Sequence, residues 1–176
     1  MTTRTAFDFQ WISRLGIAAV LFLSHGRCLI IAGLLVFWLY RKPGSTKRNA
    51  GWGGLILSAR AVSALLGRPV VEIVQEDQIL TTVVDLIMNV SAGLWLAFGI
   101  FETALVWFDV REGTAWAFWT VVLATLAVLA SWASISWQFI RCGVRLGFDL
   151  PPVAFIYAAM ITPIAAVLGW IGLGHV

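Results

Sequence analysis

Apolar residues run through this chain in four long blocks, separated by short polar interruptions. The blocks are 15–40, 80–108, 114–140 and 150–173. Each approaches or exceeds the ~20 residues that an α-helix needs to cross a bilayer. A fifth block, 51–67, is shorter and carries Arg60. The pattern predicts an all-α integral membrane protein, a helical bundle with four or five transmembrane helices. Residues 1–14 are polar with a few aromatics and read as an interfacial N-terminal segment, which leaves 15–176 as a single polytopic transmembrane domain.

The interruptions inside the blocks matter as much as the blocks. Ser24-His25-Gly26-Arg27 breaks the first one. Arginine within a bilayer is costly unless it snorkels or pairs, so 15–24 is expected as a separate interfacial helix, with the crossing starting near Cys28. Lys42-Pro43-Gly44-Ser45 ends that helix, because proline removes a donor and Gly-Ser favours a turn. Glu72, Glu76 and Asp77 form an acidic cluster, expected opposite the basic loop if 51–67 crosses. Asp85 and Asn89 are four apart and share one helix face. Either they face a protein interior, or 80–90 is re-entrant and the crossing starts near Ser91. Glu102 is a second intramembrane acid, expected to pair with a nearby Arg or Ser, with a proton relay as the alternative. Ser131, Ser134 and Ser136 mark a small-residue face suited to close helix contact. Pro151-Pro152 opens the last helix and Pro163 is expected to kink it.

Composition sharpens this reading. Of the 176 residues, 60% are hydrophobic and 12% charged, with mean hydropathy +0.90. A soluble domain carries roughly 25% charged residues, and one of this size could not bury so much apolar surface. Arg41, Lys42, Lys47 and Arg48 cluster after the first block. Short basic loops stay in the cytoplasm, so the expected location is a bacterial inner membrane with loop 41–48 inside. Four charges beside a span, without interleaved aromatics, do not read as a nucleic-acid surface. Anionic lipid headgroups are the better partner. Of ten tryptophans, Trp11, Trp38, Trp107, Trp116 and Trp170 lie near block ends, as an interfacial belt requires. Trp95, Trp119, Trp132 and Trp137 lie deeper and are expected between helices. No cleavable leader is expected, because no A-x-A-like site follows a short apolar core. Cys28 and Cys142 lie far apart and form no C-x-x-C, and a bis-histidine haem would need both His25 and His175, the latter the penultimate residue. No metal or cofactor is expected.

The order of the loops resembles the type 2 phosphatidic acid phosphatase superfamily, which includes undecaprenyl-diphosphate phosphatases. Its motifs are K-x6-R-P, P-S-G-H and S-R-x5-H-x3-D. Arg68-Pro69 closes a short apolar segment as the first motif does. Val90-Ser91-Ala92-Gly93 stands before a helix as the second does. Arg141 to Asp149 falls where the third should lie, with the x3 spacing to Asp149 intact. The resemblance implies a helical scaffold holding a lipid phosphate, with Arg60, Arg68, Ser91, Arg145 and Asp149 as candidate binding residues. The departures bear on chemistry. Ala61 replaces the lysine, Gly93 the second-motif histidine, Gln138-Phe139 the Ser-Arg pair, and Arg145 the nucleophilic histidine. Arginine stays protonated and cannot attack phosphorus, so this mechanism cannot run without a replacement nucleophile and acid.

No other catalytic motif is present. The sequence therefore leans away from an enzyme. The leading expectation is an accessory or structural subunit of a membrane assembly, contacting lipids and either other membrane subunits or further copies of itself. The alternatives are a lipid-phosphate handler on a phosphatase-like scaffold, and a small transporter or channel component using Asp85, Asn89 and Glu102. Clustering of the arginines would favour the lipid reading, and a polar path through the three intramembrane groups would favour transport. Lipid-facing walls without a pocket would favour the subunit.

Overall fold

The computed structural model describes residues 12–42, 44–46, 59–145 and 153–174, with backbone alone for 59–61, 153 and 154. The helices are α1 (Arg14–Tyr40), α2 (Ala59–Leu66), α3 (Val70–Glu76), α4 (Gln78–Phe108), α5 (Ala115–Arg141) and α6 (Val153–Leu173), with a 3-10 turn at Val110–Glu112 between α4 and α5. Four of them, α1, α4, α5 and α6, are long and apolar enough to cross a membrane. The chain is an all-α helical membrane protein.

The helix ends follow local chemistry. Ser13 caps α1 by accepting from the Gly16 amide at 3.0 Å, which satisfies one of the free donors at a helix start. Asp77 does the same for α4, accepting from Leu80 N–H at 3.0 Å. Thr81 Oγ1 donates to the Val74 carbonyl at 2.8 Å and so ties α3 to the first turn of α4.

The long helices pack side by side with neighbours in sequence running antiparallel. α1 is central and lies against α4 on one side and α6 on another; α5 packs on α6 and meets α4 near the turn. The main core gathers at the start of α1. There Phe22 meets Phe118 edge-on at 6.2 Å between centroids, among Ala18, Ala19, Val106 and Val121. At the opposite end Val36, Tyr40 and Ala92 join α1 to α4. Phe155 of α6 lies between Trp95 of α4 and Trp132 of α5, with centroids at 5.8 and 4.3 Å.

Several expectations need correction. α1 is one continuous helix across Ser24–Arg27, with no break before Cys28. α4 is also continuous from Gln78, so 80–90 is not re-entrant. Within the fifth block, α2 has eight residues, about 12 Å at 1.5 Å per residue, too short to cross; residues 51–58 lie outside the described residues. Val62 of α2 packs on Phe139 and Val144 at the end of α5. The acidic segment and the Arg41-Lys42 end of α1 therefore sit at the same end of the bundle, not at opposite ends. Trp137, expected between helices, is exposed, and Ser131 and Ser134 of the small-residue face turn outward, with Ser136 half-buried. Trp38, Trp107, Trp116 and Trp170 are exposed near helix ends, and the Arg111 guanidinium stacks 4.3 Å over the Trp107 ring. Pro163 lies inside α6, which runs through it without ending. Trp11, Pro151 and Pro152 lie outside the described residues.

Candidate functional site: the intramembrane polar contacts

The polar groups that the blocks enclose converge on the seam between α1 and α4. Backbone proximity makes that seam. A Cβ at Gly33 would come within 2.9 Å of both the Ala92 carbonyl oxygen and the Leu96 amide, and one at Gly99 within 2.6 Å of the Gly26 carbonyl. Only glycine allows backbones this close, the means by which membrane helices gain van der Waals contact without a hydrophobic driving force.

Glu102 of α4 and His25 of α1 meet on this seam. His25 Nδ1 lies 2.9 Å from Glu102 Oε2 and 3.0 Å from Oε1. The side chains are 2% and 1% exposed. The pairing expected for Glu102 is therefore real, but its partner is a histidine rather than an arginine or serine. An acidic side chain in a bilayer is tolerable when a polar partner reaches it, and here the partner comes from the adjacent helix. One residue before His25, Ser24 Oγ and Tyr157 Oη lie 2.6 Å apart and join α1 to α6.

Asp85 and Asn89 occupy the other end of the seam. Asp85 accepts from Ser45 N–H at 3.2 Å, Thr46 N–H at 2.7 Å and Thr46 Oγ1 at 2.6 Å. Its carboxylate thus caps the helical turn that follows α1, where free amides attract negative charge. Asn89 Nδ2 donates to the carbonyl of Tyr40 at 2.9 Å. That carbonyl is one that the end of α1 leaves without a helical partner. Between these two groups and Glu102, the Gly33–Leu96 and Gly26–Gly99 contacts close the seam. The three intramembrane polar residues are thus not joined by a polar path.

The candidate phosphate residues are partly brought together. Arg68 Nη2 pairs with Glu76 Oε2 at 2.8 Å, and both are exposed. Ser91 is half-buried within α4, and Arg145 is exposed after α5. The Val62 contact with Val144 sets α2, which carries Arg60, beside the segment carrying Arg145. Asp149 lies outside the described residues. Gly93, at the place of the missing histidine, faces open space. No group of three His, Cys, Asp or Glu residues among those described could hold a metal, and Cys28 and Cys142 are free and exposed. A shallow groove of about 390 Å³ is lined by Trp119, Ala166, Val167 and Trp170, none of them a candidate site residue.

Comparison with known proteins finds no matching family model, no matching curated protein and no matching solved structure.

Proposed function

We propose that this protein is a non-catalytic accessory or structural subunit of a membrane assembly. One observation carries the reading: the intramembrane acids and the polar groups they meet are engaged as fasteners between elements of the bundle. Glu102 holds His25, Asp85 holds Ser45 and Thr46, Asn89 holds the end of α1, and Ser24 holds Tyr157. Groups committed in this way are not offered to a substrate, so the working surface is the outside of the bundle. That outside has a partner-like feature. Ala127, Ser131 and Ser134 turn outward on α5, a small-residue face of the kind that admits another helix.

Charge distribution supports a cytoplasmic orientation for one end, as in a bacterial inner membrane. Arg41, Lys42, Arg68, Arg141 and Arg145 lie at the end where α1 finishes, against Arg14 and Arg111 at the other. The basic excess marks the cytoplasmic face. A second reading, lipid-phosphate binding on a phosphatase-like scaffold, is favoured by the approach of α2 to the Arg145 segment through Val62 and Val144.

Native mass spectrometry of the protein gently extracted from its own membrane tests both. Stable co-purifying subunits support the accessory role. A lone chain or homo-oligomer that retains a phospholipid or polyprenyl phosphate, lost on Arg68→Ala or Arg145→Ala, supports the lipid reading instead.

A further inference from the structure

Arg27 lies at the centre of α1, thirteen residues from Arg14 and thirteen from Tyr40. At 1.5 Å per residue that is about 20 Å to either end, and about 15 Å to the edge of a ~30 Å hydrocarbon core centred on α1, farther than an arginine side chain extends. Neighbouring His25 and Gly26 are buried against α4, but Arg27 and Cys28 are exposed on the outer wall. Arg27 forms no ion pair with a described carboxylate. The chain's own intramembrane acids are both turned inward and occupied, Glu102 by His25 and Asp85 by the turn at Ser45-Thr46.

The surface around Arg27 has a regular form. Val20, Arg27, Ile31, Leu34 and Trp38 are all exposed, and their spacing of seven, four, three and four is that of a heptad seam. α1 uses its other sides on α4 and α6, so this seam is unpartnered among the described residues.

We propose that this face of α1 docks a transmembrane helix of a different protein, one that carries an Asp or Glu at mid-bilayer depth opposite Arg27. The proposal rests on the accessory-subunit reading and names the chemistry of its partner. Charge complementarity selects the occupant. An unpaired arginine inside a bilayer is strongly disfavoured, and a carboxylate can take its guanidinium through two parallel hydrogen bonds. Among the described residues, a second copy of this chain offers no free carboxylate at that depth. The aliphatic residues of the seam would then pack as knobs around the central pair.

The test is photocrosslinking in the native membrane, with p-benzoylphenylalanine at Ile31, one turn from Arg27. The expected result is an adduct to a different protein whose crosslinked transmembrane segment contains Asp or Glu. That adduct should fall at least tenfold in Arg27→Leu, and Arg27→Glu paired with Lys at the partner's acid should restore it. An adduct to a second copy, to lipid alone or to a segment without a carboxylate overturns the proposal, as does one that Arg27→Leu leaves unchanged. Arg27 is exposed, so Arg27→Leu should fold; an unchanged thermal transition in detergent verifies that. Subunits that co-purify equally with Arg27→Leu would leave the accessory role standing while removing this interface. Absence of any co-purifying subunit from the parent protein would remove the accessory role itself.

Discussion

His25 and Glu102 face each other across the α1–α4 seam at 2.9 Å, sealed from the surface although 77 residues separate them in the chain. Removing one partner from a buried pair strands the other, at a cost of about 3–5 kcal/mol, whereas replacing both with apolar residues is often neutral. His25→Leu and Glu102→Leu should each lower the thermal transition in detergent, and the double variant should recover most of the loss. A double variant no more stable than the singles would contradict a fastening role for the pair.

Gly33 and Gly93 should respond oppositely to the same substitution. Gly33→Ala drives a Cβ to within 2.9 Å of the α4 backbone, an overpacking expected to cost about 1–3 kcal/mol. Gly93→Ala meets nothing within 4 Å and removes a flexible residue from a helix interior, which should stabilise by about 0.5–1 kcal/mol. Paired unfolding measurements on the two variants check the sign of each.

Asp85→Ala removes the acceptor of three hydrogen bonds from Ser45 and Thr46. Loss of a capping acceptor typically costs about 0.5–2 kcal/mol. The effect should be local: trypsin should cut after Arg41 several-fold faster, while proteolysis after Arg111 at the far end stays as in the parent. Asp85→Asn keeps an acceptor oxygen and should lie between the two.

Two further contacts should differ in weight. Tyr157→Phe deletes the bond to Ser24 and should cost about 0.6 kcal/mol, the average for an interhelical bond in a membrane. Glu76→Gln breaks an exposed pair with Arg68 and should change stability by less than about 1 kcal/mol, and less again at high salt. Unfolding at low and high salt separates the two.

The long helices were legible because an apolar run near twenty residues, bounded by polar turns, admits few alternatives in lipid. The block ends at 15–40 and 80–108 fall within about two residues of α1 and α4. What could not be read was the partner of each polar residue. Ser24–Arg27 read as a break because an arginine is costly in lipid, and the contact of His25 within it lies on another span, at Glu102. Asp85 suggested a re-entrant loop because its donors belong to a turn forty residues earlier. A signal for the α1–α4 seam was present: Gly26 and Gly33 repeat at seven, as do Ala92 and Gly99. That period marks a shared contact face and would have joined α1 to α4. The outward turn of Ser131 and Ser134 had no such signal, since small residues suit an internal and an external helix contact equally.

The central place of α1 has a temporal side. It is the first span in the sequence, yet Glu102 follows His25 by 77 residues, about 4–15 s of synthesis at 5–20 residues per second. During that interval α1 carries an unmatched histidine and an unmatched arginine beside each other at mid-span. The arrival of α4 settles the histidine and leaves the arginine, so a nascent chain would pass from two exposed polar groups to one before α5 and α6 are made.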